Sequence, residues 1–376
     1  MNQFLIKPRV QFGANALDFI STMQAQQAFI VTDKAMVKFG LAEEVTRRLT
    51  HSGIAFSMYD DVLPDPDISA IVKGMKIMDV QYPDVVIALG GGSVIDAAKA
   101  IIYSLWHTKN DANRAKPQFI AIPTTSGTGS EVTSFSVIKS HSEKLVLVDE
   151  FMLPDVAILD PVLVKSVPAS ITADTGMDVL CHALEAYVSR TASDFSDALA
   201  EKAVQLVFGH LIDCYREGGN LLAREKMHNA SCIAGMAFTN ASLGITHSLA
   251  HALGGVFHIP HGRANALLMA QVVAFNAELE GRCDTDAAKR YAHLAKNLNL
   301  PASNIREGVE SLIMAINVLK DEMNMPNGIQ ATGINETDFN ARLGEMVGQA
   351  LRDSCTPTNP RDVNQVQLET LYRQSF

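Results

Sequence analysis

Up to Lys165, short β-branched and apolar runs alternate with amphipathic stretches. The runs are A-F-I-V-T-D (28–33), I-A-F-S-M-Y-D (54–60), D-V-V-I-A-L-G (84–90) and Q-F-I-A-I-P (118–123), and positions 41–52, 68–79 and 93–106 between them carry apolar residues at helical spacing. Strand runs joined by helices build βαβ units, so this half predicts an α/β domain with a mostly parallel sheet. The opening F-L-I-K-P-R-V-Q-F-G reads as strand or hairpin structure at an edge, and K-L-V-L-V-D (144–149) and V-A-I-L-D (156–160) as further strands.

After Pro168 the texture changes to long Ala-, Leu- and Met-rich helical patterns that continue to the C-terminus. The pattern predicts two domains, an α/β domain over 1–167 and an all-helical domain over 168–376. Their boundary falls in D-P-V-L-V-K-S-V-P-A, where two prolines interrupt regular structure. Pro326-Asn327-Gly328 marks a turn between late helices, and neither an internal repeat nor a low-complexity tract is present.

Composition narrows the function. With 376 residues the chain is long enough for two cores. Acidic side chains outnumber basic ones 41 to 31 with no Lys/Arg-rich block, so no nucleic-acid partner is expected. No signal peptide and no run long enough for a membrane span are read, which predicts a cytoplasmic protein without a membrane partner. The cysteines, five in number and without a C-x-x-C pair, argue for reduced thiols. Cys181 adjoins His182, but one helical residue is a rotation of about 100°, which should turn it from the face His182 presents.

Two loops suit a nucleotide. The strand at 84–90 runs into Gly90-Gly91-Gly92-Ser93 and then a helix; a glycine turn there lets backbone N–H groups approach a diphosphate, and the helix N-terminus favours its charge. It matches neither G-x-G-x-x-G nor a Walker loop, so a tight connection is the plain alternative. Asp96 reads as a stabiliser of that helix's first turn. The second loop, P-T-T-S-G-T-G-S-E-V-T (123–133), follows the strand ending at Ile122 and offers hydroxyls at the carboxyl edge of the sheet. Asp33 closes an earlier strand, where a carboxylate accepts from an adenosine ribose and repels a 2′-phosphate, favouring NAD over NADP.

Candidate metal chemistry is concentrated in T-G-M-D-V-L-C-H-A-L-E and G-I-T-H-S-L-A-H-A-L-G-G-V-F-H-I-P-H-G. Asp178 with His182, and His247 with His251, are i,i+4 pairs that each share a helix face; with His261, taken as a loop residue, they can enclose one cation. Of eleven histidines, five lie at 182 or within 247–261, which weighs against each being an isolated core group. Carboxylate and imidazole donors suit Fe²⁺, Zn²⁺ or another first-row divalent ion.

Taken in order, V-T-D-K, G-G-G-S-V-I-D, P-T-T-S-G-T-G-S-E-V-T, T-G-M-D-V-L-C-H-A-L-E-A-Y, A-G-M-A-F-T-N-A-S-L-G, H-S-L-A-H-A-L-G-G, I-P-H-G-R-A-N-A and N-P-R at 359–361 give a chain that closely resembles the iron-containing, or group III, alcohol dehydrogenase family nearly end to end. The resemblance implies a Rossmann-like N-terminal domain and an all-helical C-terminal domain of the dehydroquinate synthase-like type, with the active site in the cleft between them. It implies the metal ligands Asp178, His182, His247 and His261, with His251 beside the nicotinamide. Cofactor contacts map to Asp33, Gly91, Gly92, Ser93, Thr124, Thr125, Thr133, Phe135, Lys144 and Leu163, with Asp65 at a position that is often Asn. Cys181 stands where Thr is frequent, Arg263 where an aliphatic residue is common, and Met269-Ala270 where Leu-Pro is usual; these departures bear on pocket shape. The family often forms dimers.

The expected activity is NAD(H)-linked interconversion of a small primary alcohol or diol and its aldehyde. The metal would act as a Lewis acid, Fe²⁺ fitting slightly better than Zn²⁺ because it accepts a fifth oxygen readily. His251 is the candidate catalytic residue, as proton relay or as orienter of the nicotinamide. Glycerol dehydrogenase, a hydroxyacid–oxoacid transhydrogenase and dehydroquinate synthase share the architecture and are the nearest alternatives. A metal-dependent hydrolase would leave the glycine turn and threonine loop without purpose, and a noncatalytic nucleotide-binding or scaffold protein would have no use for the ligand set.

Overall fold

The computed structural model describes residues 3–109, 115–140 and 143–376, without the side chains of Ser140, Glu143 and Lys144. It divides into two compact units, Leu5–Ser166 and Val167–Phe376, with Phe4 belonging to the second, where its ring stacks on Phe195 at 5.3 Å.

The first unit contains β1 (Arg9–Phe12), β2 (Gln27–Val31), β3 (Ala55–Tyr59), β4 (Val85–Gly90), β5 (Gln118–Pro123), β6 (Phe135–Ser140), β7 (Glu143–Val148) and β8 (Val156–Leu159). Six strands form one sheet in the order β1-β8-β5-β4-β2-β3 with every neighbouring pair parallel. The helices among them are α1 (Lys34–Lys38), α2 (Leu41–His51), α3 (Ile68–Gln81) and α4 (Gly92–Lys109). Central β4 is buried at all of its positions, as expected of a parallel strand covered on both faces. On one face Val86 and Ala88 pack with Val94 and Ile101 of α4; on the other Val85, Ile87 and Leu89 pack with Val45 and Leu49 of α2. The run at 144–149 does form β7, but it pairs antiparallel with β6 outside the main sheet. The opening segment supplies one edge strand, β1, parallel to β8.

The chain leaves β2 to make β3 on one side, and leaves β4 to make β5 on the other. The two connections part between β2 and β4, and the crevice beyond the carboxyl ends of strands at such a switch point is where open α/β sheets bind ligands. Asp33 follows β2 there, and Gly91-Gly92-Ser93 follow β4.

Among its described residues the second unit has helices and no strand: α5 (Ala169–Val188), α6 (Asp194–Arg216), α7 (Leu221–Ala241), α8 (Ile245–Phe257), α9 (His261–Asn276), α10 (Asp286–Asn297), α11 (Ile305–Glu322), α12 (Glu336–Arg352) and α13 (Gln365–Gln374). Helix α5 buries sixteen of its twenty residues, and a helix covered nearly all round has to lie inside its bundle; α6, α7 and α9 pack around it. Among the described residues no helix is long and apolar enough to cross a membrane.

Candidate metal centre and nucleotide site

Helix α5 places Asp178, His182 and Glu185 at i, i+4 and i+7, one above another on a single face. Helix α8 starts beside them because its first backbone donors find buried acceptors. The Glu185 carboxylate takes the N–H groups of Gly244 at 2.9 Å and Thr246 at 2.6 Å, and Asn359 Oδ1 takes that of Ile245 at 3.3 Å. These three donors would otherwise be orphans of a helix terminus, so Glu185 and the late N-P-R segment fix where His247 emerges. The same carboxylate lies 2.6 Å from His247 Nδ1.

His261 is the first residue of α9 rather than a loop residue. A Cβ at Gly262 would lie 2.0 Å from the Asp174 carbonyl oxygen; only glycine permits this approach of α9 to α5, and the approach brings His261 to Asp178. One turn earlier on α5, Asp174 accepts two hydrogen bonds from Arg263, each 3.0 Å, so the departure at 263 clamps the same pair of helices.

Around Asp178 Oδ1 stand the Nε2 atoms of His182 at 3.8 Å, His247 at 3.7 Å and His261 at 3.5 Å. Four donors each about 2.1 Å from a tetrahedral ion would be about 3.4 Å apart, so the spacing fits a first-row cation. These four residues form a metal-competent cluster that does not include His251, which narrows the five-residue set read from helical spacing. Burial alone would raise the Asp178 carboxyl, but the surrounding histidines hold it far below the usual carboxylate range. Burial pushes His261 down to about 3, leaving a neutral imidazole with a lone pair to give. With Glu185 on His247 Nδ1, Nε2 is left as the donor nitrogen, the carboxylate–histidine arrangement that orients metal ligands.

His251 stacks on His261 with ring centroids 5.2 Å apart, and its Nδ1 lies 2.8 Å from Asp353 Oδ2. Asp353 also accepts from the Cys355 N–H at 2.8 Å; although burial opposes it, the bond to His251 keeps this carboxyl well below its ordinary range. Cys181 is not wholly clear of the centre: its buried Sγ lies 3.6 Å from His247 Nδ1, behind the imidazole, and burial pushes its thiol up to about 12.

On the first unit, α4 begins at Gly92 directly after the turn, so its N-terminus faces the switch-point crevice. A Cβ at Gly92 would lie 2.8 Å from Thr128 Cγ2, and glycine therefore lets the turn and the threonine loop touch. Asp33 caps α1, accepting from Met36 N at 2.9 Å, and Thr124 N donates to Gly90 O at 3.1 Å, which ties the two loops together.

The Thr133 hydroxyl accepts from buried Lys99 Nζ at 3.0 Å, as does Ser130 Oγ, and the Phe135 carbonyl accepts from it at 2.7 Å. Asp96 accepts from Ser130 Oγ at 2.6 Å and Val137 N at 3.0 Å. Leu163 is buried in the core beneath the sheet. Asp65 is exposed with φ of 51°, and the Lys144 side chain lies outside the described residues.

The chain matches the model of the iron-containing alcohol dehydrogenase over residues 8–161 and that of the C-terminal part of the Fe-containing alcohol dehydrogenase family over 172–376. It is 44% identical to 1-propanol dehydrogenase PduQ of Citrobacter freundii, covering 100% of both chains, and 38% identical to the NADPH-dependent butanol dehydrogenase of Clostridium saccharobutylicum, covering 99% of this chain and 97% of that one. Among solved structures it resembles a 1,3-propanediol oxidoreductase, with a TM-score of 0.92 and 33% identity over 100% of both chains. It also resembles the sulfoacetaldehyde reductase of Bifidobacterium kashiwanohense in complex with NAD+, with a TM-score of 0.86 and 30% identity over 100% of this chain and 98% of that one.

Proposed function

Because the chain belongs to the iron-containing alcohol dehydrogenase family, and is thus an oxidoreductase of small alcohols, we propose that it interconverts a short primary alcohol or diol with its aldehyde, using NAD(H) and a divalent metal. The observation that carries the reading is the convergence of one carboxylate oxygen and three imidazole nitrogens on a single point. Asp178, His182, His247 and His261 would hold Fe²⁺, with Zn²⁺ as a substitute, since this donor set suits either ion. When bound, the metal supplies a Lewis acid for the alcohol oxygen and the nicotinamide a hydride acceptor.

The chain's own residues do the rest. Glu185 fixes His247 in one tautomer and one orientation. Asp353 engages Nδ1 of His251, so Nε2 is the nitrogen that exchanges a proton with the reacting hydroxyl or with water. Asp33, Gly91, Gly92, Ser93, Thr124 and Thr125 would hold the dinucleotide at the switch point, with Asp33 on the adenosine ribose. Thr133 and Phe135, which Lys99 holds, are proposed as further cofactor contacts together with Leu163, Lys144 and Asp65. The reductase that carries NAD+ supports this cofactor, whereas the butanol dehydrogenase uses NADPH, so the choice rests on this chain's Asp33.

The propanol and butanol dehydrogenases support short, uncharged substrates. All five cysteines are buried free thiols, the state a reducing compartment maintains, and we place the enzyme in the cytoplasm. A homodimer is proposed as well; β1 forms one edge of the sheet, with Phe12, its last residue, exposed.

Metal-free protein reconstituted anaerobically with Fe²⁺ or Zn²⁺ should oxidise NADH in the presence of short aldehydes. Tight NADH binding without turnover of any of them would move the reaction to the transhydrogenase or synthase type.

A further inference from the structure

We propose that Asn265 is a positioning residue for the metal cage, whose carboxamide holds Asp178, His247 and His261 together before any cation arrives. The inference rests on the reading that these residues hold a metal.

Asn265 is fully buried on α9, one turn beyond His261. Its Nδ2 donates to Asp178 Oδ1 at 2.8 Å and lies 3.2 Å from Nε2 of both His247 and His261. All three neighbours are the atoms that would grip the ion. The opposite amide orientation would set an oxygen against the Asp178 carboxylate oxygen, so the nitrogen has to face the cage.

Meanwhile Asn265 Oδ1 is buried and has no hydrogen-bond partner among the described residues. Leaving a buried carbonyl unmatched is unfavourable. The arrangement therefore favours convergence of the donors over satisfaction of the amide itself. Asp178 stands on α5, His247 on α8 and His261 on α9, and a single amide nitrogen reaches all three. Once a cation is held, both imidazole lone pairs are committed to it, and the bond to Asp178 is the one that continues to orient a ligand.

The test uses chelator-stripped full-length protein with Zn²⁺ as probe. Zinc affinity is measured by competition with a chromophoric chelator, and melting temperature with and without Zn²⁺, for wild type, Asn265→Leu, Asn265→Asp and Asp178→Ala. Asn265→Leu should weaken zinc binding by about 10–100-fold, the usual loss when a ligand's hydrogen-bond partner is removed. Asn265→Asp sets a second carboxylate against Asp178. It should melt below wild type without metal, and zinc should raise its melting temperature by more than it raises that of wild type. Wild-type zinc affinity and wild-type metal-free melting in both variants would overturn the proposal while leaving the metal site intact. Equal zinc binding by wild type and Asp178→Ala would instead remove the metal site itself, and the proposal with it.

Discussion

Glu185 and His247, 62 positions apart, are joined by a 2.6 Å contact between carboxylate and Nδ1, both side chains buried. Burial would raise the Glu185 carboxyl, but the charge and hydrogen bond of His247 and the Gly244 and Thr246 donors hold it below its ordinary range. One carboxylate thus both caps α8 and selects the nitrogen that His247 presents. Glu185→Gln keeps the shape but has only one carbonyl oxygen for three donors. Metal affinity should drop roughly 10–100-fold, measured by zinc competition, and the variant should melt lower. Unaltered affinity would mean that the packing of α5 against α8 orients His247 unaided.

The Asp353 contact with His251 leads to a different expectation, because His251 stands outside the four-residue cluster. Asp353→Asn should leave metal content unchanged and reduce kcat, toward the roughly 10²-fold loss that removal of an acid–base group brings. Metal analysis alongside steady-state kinetics separates the two effects. A lowered metal content with kcat per bound ion preserved would make Asp353 a structural partner of the loop that follows α12.

How much of this was legible in the sequence depended on distance along the chain. The βαβ order could be read because β4 and β5 are continuous apolar runs bounded by turn residues, and helical periodicity located α2, α3 and α4 between the strands. The pair Asp178 and His182 was legible because both sit on one helix. Glu185 continues that face at i+7, and Asn265 follows His261 at i+4, so periodicity carried a signal for each. Asp353 carried none, since it lies in a loop 102 positions from His251 and only tertiary folding joins them. Phe135 and Thr133 could be placed near the nucleotide loop, but their engagement with Lys99 depends on α4 packing against β6. The loop expected at His261 is instead the first turn of α9, which Pro260 immediately precedes.

Asp33 bears on cofactor choice. It stands at the end of β2 beside the glycine turn, and its Oδ1 already caps α1. Asp33→Gly removes the carboxylate at little risk to the fold, because glycine at an N-cap costs only about a few tenths of a kcal/mol. The ratio of kcat/KM with NADPH to that with NADH should rise about tenfold or more, equivalent to ~1.4 kcal/mol. An unchanged ratio in steady-state assays with both cofactors would detach Asp33 from the ribose.

Glu131, buried within the threonine loop, and buried Lys99 of α4 give the protein a defined pH response. Burial pushes the Glu131 carboxyl up to about 7 from 4.5, against the attraction of Lys99. Between those values the folded protein keeps a proton that the unfolded chain has released, so this group's contribution to stability falls as pH rises through the window. Burial pushes Lys99 down to about 8 from 10.5, against Asp96 and Glu131. Between those values the unfolded chain binds the extra proton, and stability gains from rising pH. Glu131→Gln removes the first slope and leaves the second. A displacement of the size seen for Glu131 corresponds to about 3 kcal/mol, at ~1.4 kcal/mol per pKa unit. The variant should therefore gain several degrees of melting temperature over wild type between pH 5 and pH 8, read by calorimetry on metal-free protein. A difference that stays flat across that range would show that Glu131 is ionised in the folded protein throughout it, with Lys99 as its counter-ion.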